Sequence, residues 1–121
     1  CPQGVAATSG VLVAGGNGEG EGLHQLYCPQ GVAIDSNMNL FVADMNNHRV
    51  VKWPPDATSG VLVAGGNGRG TGRDQFKYPV DVAVDSEKNV IVLDNYNDRV
   101  MKWVPNASSG VVVAGGNREG A

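Results

Sequence analysis

The sequence has few of the residues that usually carry chemistry at a protein site. Its 121 residues include two cysteines and two histidines, and they lack the spacing of a Cys/His metal site. We therefore predict no metal site, no cofactor and no role in chemistry for either cysteine. It also lacks an apolar run of about 18 residues, which a membrane helix needs, and we expect no membrane partner.

Positive charge is scarce as well. Nine Lys and Arg residues against twelve Asp and Glu give a formal net charge of -3. Nucleic acids and anionic membranes require a basic surface, so this balance argues against a general binder of either. No nucleophile–base pair indicates catalysis, and we predict a protein that is not an enzyme. The residue in excess is glycine, with 18 copies, about twice its average share.

Two copies of a fifty-residue unit make up most of the chain. Residues 28–49 align with 78–99, and 50–68 align with 100–118, where 13 of 19 pairs are identical. Each copy holds four short runs rich in Val, Ile or Leu, bounded by turn residues, which predict four strands. In order a to d, the strands are predicted at 31–35, 40–44, 49–53 and 60–64, and again at 81–85, 90–94, 99–103 and 110–114.

Such a unit is one four-stranded antiparallel meander with two apolar faces and no helix to cover them. Stacking these sheets around an axis covers both faces, as in a β-propeller. The sequence therefore predicts an all-β fold of propeller blades, and two blades make an incomplete propeller. We expect the open faces to drive self-association, since three copies would supply a six-bladed ring.

The N-terminal part repeats only the two ends of the unit. Residues 1–6 are identical to 28–33, and 7–18 are identical to 57–68, so strands b and c are skipped. We predict that 1–27 is a truncated blade with its crossover, with strand d at about 9–14 and irregular structure at 1–7. The first complete blade with its crossover is then 28–77, and the second is 78–121. The chain begins at a cysteine, and we expect it to be a piece of a longer protein.

The repeat resembles the NHL repeat family. The resemblance rests on the motifs PQGVAIDS at 29–36, LFVAD at 40–44, NHRV at 47–50 and KW at 52–53. The second copy keeps Pro79, Asp85, Ser86, Asp94, Asn97, Arg99, Val100, Lys102 and Trp103 of this pattern. It implies a propeller of about six blades. The family often has glycine in the a–b turn where Met38 and Lys88 stand. A left-handed backbone there costs about 1 kcal/mol, so we expect a different turn geometry.

Structural roles are predicted for the residues around the b–c loops. Chain direction places these loops and the d-to-a crossovers at the same end of the blades. Ion pairs are expected across each loop, and the tryptophans that end strand c are expected to fill the space between blades. The residues concerned are Asp44, Arg49, Trp53, Asp94 and Trp103.

Binding is predicted at the same end of the blades, which the resemblance implies is the usual binding face. We expect it to bind a protein or peptide. One alternative is an RNA-binding module that uses the cations of the second crossover, and another is a piece of an NHL-containing enzyme or ubiquitin ligase whose chemistry lies outside this chain. The candidate binding residues are Asn47, His48, Arg69, Arg73, Asn97 and Arg99.

Overall fold

The structure, a computed structural model, describes residues 14–116. Its regular elements are eight β-strands and two three-residue 3-10 helices, Met45–Asn47 and Asn95–Asn97. The strands are β1 (Pro29–Ile34), β2 (Leu40–Asp44), β3 (Arg49–Trp53), β4 (Val61–Gly65), β5 (Pro79–Val84), β6 (Val90–Asp94), β7 (Arg99–Trp103) and β8 (Val111–Gly115).

These strands form two four-stranded antiparallel sheets, sheet 1 in the order β1-β2-β3-β4 and sheet 2 in the order β5-β6-β7-β8. The predicted all-β architecture is confirmed, and residues 14–116 contain no α-helix. None of their helices is long and apolar enough to span a membrane.

The predicted strand bounds hold for b and c in both copies and shift elsewhere. The innermost strands begin two residues early because Pro29 and Pro79 already pair with the second strand across an irregularity. The outermost strands lie one residue later than predicted. The strand expected at 9–14 falls outside the described residues except for Ala14, which is a bend. Cys28 is disulfide-bonded, which the sequence did not predict, and Cys1 lies outside the described residues.

The expectation of a different a–b turn is wrong. Met38 and Lys88 have φ angles of 67° and 69°, so both adopt the left-handed backbone that glycine would favour. The Asp35 carboxylate stabilises the first turn by accepting hydrogen bonds from the backbone N–H groups of Asn37 and Asn39, each at 2.9 Å. These local hydrogen bonds offset the modest cost of a positive φ.

The two sheets pack face to face, with β5 against β1 and β2. The shared core contains Phe41, Ala43 and Val50 of sheet 1 together with Val92 and Met101 of sheet 2. Burying such apolar side chains contributes about 25 cal/mol per Å² of surface removed from water. This packing holds the second sheet at a fixed place on the first.

A close approach of two backbones and a polar contact of a lysine accompany the packing of the two sheets. A Cβ atom added at Gly31 would lie 2.6 Å from the Cα of Asp81, so the backbones of β1 and β5 come close only because residue 31 has no side chain. At the other end of β1, Lys88 Nζ lies 3.4 Å from Asp35 Oδ2 and donates to Ser36 Oγ at 2.9 Å.

Within residues 14–116, no element covers the outer side of sheet 2 in the same way. Ala43 of sheet 1 is fully buried, whereas Leu93, fifty residues later, is 40 % exposed. Ala64 is likewise buried and Ala114 exposed. The same face of the repeat is therefore core in sheet 1 and surface in sheet 2.

Candidate interaction face at the loop end of the sheets

The b–c loops and the crossovers meet at one end of the sheets, as chain direction predicts. Backbone hydrogen bonds of 3.0 Å join Asn46 N to Tyr27 O and Tyr96 N to Lys77 O. We call this end the loop face and define it as residues 15–28, 44–49, 65–78 and 94–99.

An ion pair closes each b–c loop. The distance from Arg49 Nε to Asp44 Oδ2 is 2.8 Å, and from Arg99 Nε to Asp94 Oδ2 it is 2.9 Å. All four residues are buried. The other oxygen of each carboxylate accepts a backbone N–H at 2.6 Å, from Tyr27 in the first copy and from the equivalent residue in the second. The ion pairs predicted across the loops are therefore present.

Each arginine also donates hydrogen bonds to backbone carbonyl groups of the crossover that precedes its own sheet. Arg99 Nη1 donates to Thr71 O at 3.0 Å, and Nη2 donates to Gly72 O at 2.7 Å and Gln75 O at 2.9 Å. Arg49 makes the same three bonds in the first copy. Four N–H donors of Arg99 are thus used inside the chain, and the binding role predicted for Arg99 stays a prediction.

Asn47 and Asn97 are engaged in the same network. The Nδ2 of Asn47 donates to Gly20 O at 2.7 Å and to Asp44 Oδ2 at 2.9 Å. Asn97 makes the equivalent bonds to Gly70 O and Asp94. Both asparagines hold the loop to the crossover through Nδ2, and the binding role predicted for them stays a prediction.

Both tryptophans that end strand c are buried. Trp53 and Trp103 are each 2 % exposed, and their Nε1 groups donate to Ala57 O and Ala107 O at 3.0 Å. Trp103 also packs on Phe76, with ring centroids 5.2 Å apart. Since its indole is covered by the core between the sheets, it is not presented to solvent.

His48 lies where the two sheets meet on the loop face. Its Nδ1 accepts a hydrogen bond from Tyr78 N at 3.0 Å, and the two rings make an edge contact at 4.6 Å. Burial lowers the pKa of His48 below its usual 6.5, and the charge of Arg69 lowers it further, whereas Asp94 opposes the change. The imidazole is therefore held in its neutral form, in which Nδ1 can accept a bond.

Arg69 belongs to an aromatic cluster that the sequence analysis missed. Its guanidinium carbon lies 5.8 Å from the centre of the Tyr78 ring, and Nη1 donates to the Tyr78 hydroxyl at 3.1 Å. Tyr78 contacts Tyr96 at 4.8 Å between ring centroids. We call His48, Arg69, Tyr78 and Tyr96 the aromatic cluster. The two tyrosines could have been found as positions where the second copy departs from Cys28 and Asn46 of the first.

Arg73 is exposed on the second crossover. Its carbonyl accepts a hydrogen bond from Gly110 N at 2.8 Å, which fixes the backbone beside the outermost strand. The binding role predicted for its side chain stays a prediction.

Each copy forms a shallow cavity at the same place on the loop face. One, of about 380 Å³, is lined by residues that include Glu21, His48 and Leu62. The other, of about 260 Å³, is lined at equivalent positions by Thr71, Asp98 and Val112, and also by Tyr96 and Lys77. Residues 14–116 contain no group of three His, Cys, Asp or Glu side chains able to hold a metal ion.

Comparison with known proteins agrees with this repeat structure. The family model of the NHL repeat matches residues 26–53 and 76–103, which are the segments from the end of each crossover to the end of strand c. No curated protein gives a significant match to the chain. NHL repeats are generally non-catalytic modules that mediate protein interactions. With both copies matched and both folded as the same four-stranded sheet, the chain carries two NHL repeats.

Proposed function

We propose that this chain is a non-enzymatic interaction module that binds a protein or peptide through its loop face. The observation that carries the proposal is that some side chains on that face hold the loops in place whereas others are exposed. Buried Asp–Arg pairs and Asn side chains hold both crossovers in place, whereas the side chains of Arg69, Arg73 and Tyr96 are exposed. Rigid loops with exposed side chains are well suited to binding, because little ordering is needed when a ligand arrives.

The same proposal treats the two sheets as neighbouring blades of an incomplete β-propeller. In support, the sheets pack face to face through their innermost strands and turn their b–c loops to the same end. Contacts between His48 and Tyr78 join that end across the sheets. The outward-facing residues of a two-sheet sandwich are usually polar, whereas the outer side of sheet 2 carries the apolar residues Ile91, Leu93 and Val100.

The proposal is tested by selecting ten-residue peptides displayed on phage against the full chain and mapping the best binder by NMR. Amide shifts are expected to cluster in 44–49, 66–78 and 94–99. The a–b and c–d turns at the opposite end serve as the internal control and are expected to stay unchanged. Binders that map to those turns, or the absence of any selected binder, would contradict the proposal.

RNA binding is a second candidate, favoured by the Arg69 guanidinium stacked near two tyrosine rings. Aromatic rings and arginine bind unpaired bases by stacking. A gel shift with a single-stranded RNA at low and moderate salt tests it, because phosphate contacts make the affinity fall steeply with salt. No shift at low salt would eliminate this candidate.

We further propose self-association through the uncovered face of sheet 2, where Ile91, Leu93 and Val100 replace residues that are buried in sheet 1. The close approach at Gly31 has no counterpart there, because Asp81 stands at the equivalent position. Copies would therefore meet at a wider spacing than the two sheets of one chain. Sedimentation velocity is expected to show oligomers that Leu93→Lys converts to monomers, and a monomeric wild type would contradict this.

A further inference from the structure

The aromatic cluster presents a cation that forms no ion pair within residues 14–116. Among residues 14–116, the ion pairs are those of Arg49, Lys88 and Arg99, so no described carboxylate pairs with Arg69, Arg73 or Lys77. The Tyr78 hydroxyl and ring fix the Arg69 guanidinium at the surface. A cation held in place by an aromatic ring is ready to bind an anion at a low entropic cost.

Tyr96 connects this cation to the neighbouring cavity. Tyr96 is 63 % exposed, contacts Tyr78 and lines the 260 Å³ cavity together with Lys77. Asp98 also lines this cavity, and its negative charge limits how much further negative charge the cavity accepts. Arg69 on Tyr78 and Lys77 in the cavity thus place two cations in the surroundings of one exposed ring.

The first copy shows that the scaffold does not require these side chains. At the equivalent positions it has Glu19, Tyr27 and Asn46 in place of Arg69, Lys77 and Tyr96, although its loops are held by the same Asp–Arg pair and the same crossover bonds. Because the structural network is equal in both copies, the cations and the exposed ring of the second copy are free to serve a ligand.

We propose, resting on the proposed function, that this part of the loop face binds an acidic peptide. One or two Asp or Glu carboxylates pair with Arg69 and Lys77, and an apolar side chain next to them packs on Tyr96. Charge-assisted hydrogen bonds from arginine to carboxylate are among the stronger polar contacts, and exposed tyrosine is a frequent anchor at interfaces. A long RNA backbone would need more cations than this small patch provides.

The test compares peptides selected on phage against the wild-type chain with those selected against the double variant Arg69→Gln/Lys77→Gln. The wild type is expected to enrich Asp or Glu beside an aromatic or aliphatic residue, and the double variant is not. The best peptide is then synthesised with a fluorescent label, together with a version that has Gln and Asn in place of Glu and Asp. The acidic version is expected to bind the wild type at least about ten-fold more tightly.

Variants locate the binding to this patch. Arg69→Gln and Tyr96→Ser are each expected to weaken binding about five-fold or more without changing the thermal midpoint, whereas Tyr96→Phe retains it. The matched controls are Glu19→Gln and Asn46→Ser, the equivalent positions in the first copy, which are expected to leave the affinity unchanged.

The outcomes separate this inference from the proposed function. Equal binding of the acidic and neutral peptides, both mapped to the loop face, would overturn the inference and leave the interaction module standing. No peptide binding at the loop face would overturn both. Displacement of the acidic peptide by single-stranded RNA, with RNA affinity lost in Arg69→Gln, would replace the peptide by RNA as the ligand.

Discussion

Replacing Arg99 tests whether the buried arginine holds the crossover or only neutralises Asp94. Arg99→Met removes the ion pair to Asp94 and also the three hydrogen bonds to the carbonyl groups of Thr71, Gly72 and Gln75. Asp94 is fully buried, so the substitution leaves an unpaired carboxylate in the interior.

The magnitude follows from those contacts. Breaking a buried ion pair on one side costs about 3–5 kcal/mol in free energy of unfolding. In the double variant Arg99→Met/Asp94→Asn the charge is gone, but three carbonyl groups still lack their donor. At about 0.5–1.5 kcal/mol each, the double variant is expected to remain about 2–4 kcal/mol less stable than the wild type.

Urea unfolding at pH 7, followed by tryptophan fluorescence, measures these differences. Hydrogen exchange of the amides in 66–77 provides a local reading of the crossover and is expected to accelerate in both variants. Arg73→Met is the matched control, because its exposed side chain should change stability by less than about 0.5 kcal/mol. A double variant as stable as the wild type would refute the reasoning, since the arginine would then act only as a counter-charge.

Three further predictions concern the contacts between the sheets. The pKa of folded His48 lies below 6.5, so the stabilising contribution of His48 is complete above pH 6.5 and is lost as the pH falls through the lowered value. The variant His48→Asn keeps a hydrogen-bond acceptor and tolerates the left-handed backbone, so in denaturant titrations it should lose less stability than the wild type between pH 7.5 and 5. Equal losses would contradict this. For Asp35, burial alone raises the pKa, but hydrogen bonds from Asn39 and Asn37 and the charge of Lys88 lower it to about 2. The stabilising contribution of Asp35 is thus present above the usual pKa near 4 and is lost as the pH falls towards 2. NMR titration should show a higher pKa for Asp35 in the variant Lys88→Met. An unchanged pKa would mean that the ion pair does not lower it. In thermal unfolding, Gly31→Ala should destabilise the fold by about 1–3 kcal/mol through overpacking. Asp81→Ala, a change at the equivalent position of sheet 2, should lower the stability less. The reverse order would contradict the close approach of β1 and β5.

Local features of the fold could be predicted because the residues that determine them lie within one repeat. Strands b and c were placed correctly since their apolar runs are bounded by Asp and Asn, and the Asp44–Arg49 pair follows from its position at the end of a hairpin. The left-handed turn at Met38 was missed because the prediction considered only the residue's own preference. The Asp35 hydrogen bonds that stabilise the turn come from its neighbours.

The candidate site was harder to predict because it forms between repeats. Tyr78 and Tyr96 are separated along the second repeat, and His48 of the first repeat meets Tyr78 only when sheet 2 packs on sheet 1. The sequence drew attention to Asn47 and Asn97 because they are the same in both copies. Both asparagines make the same structural contacts, whereas the aromatic cluster is formed at positions that differ between the two copies.

Gly31 makes the side of sheet 1 that sheet 2 covers different from the uncovered side of sheet 2, where Asp81 stands at the equivalent position. Identical modules that add head to tail produce open fibres unless the rotation closes a ring. In the proposed self-association, Asp81 would stand where Gly31 allows the close approach inside the chain, so a module could not add in the same register. We therefore expect this one side-chain difference between the two repeats to oppose open-ended addition of chains.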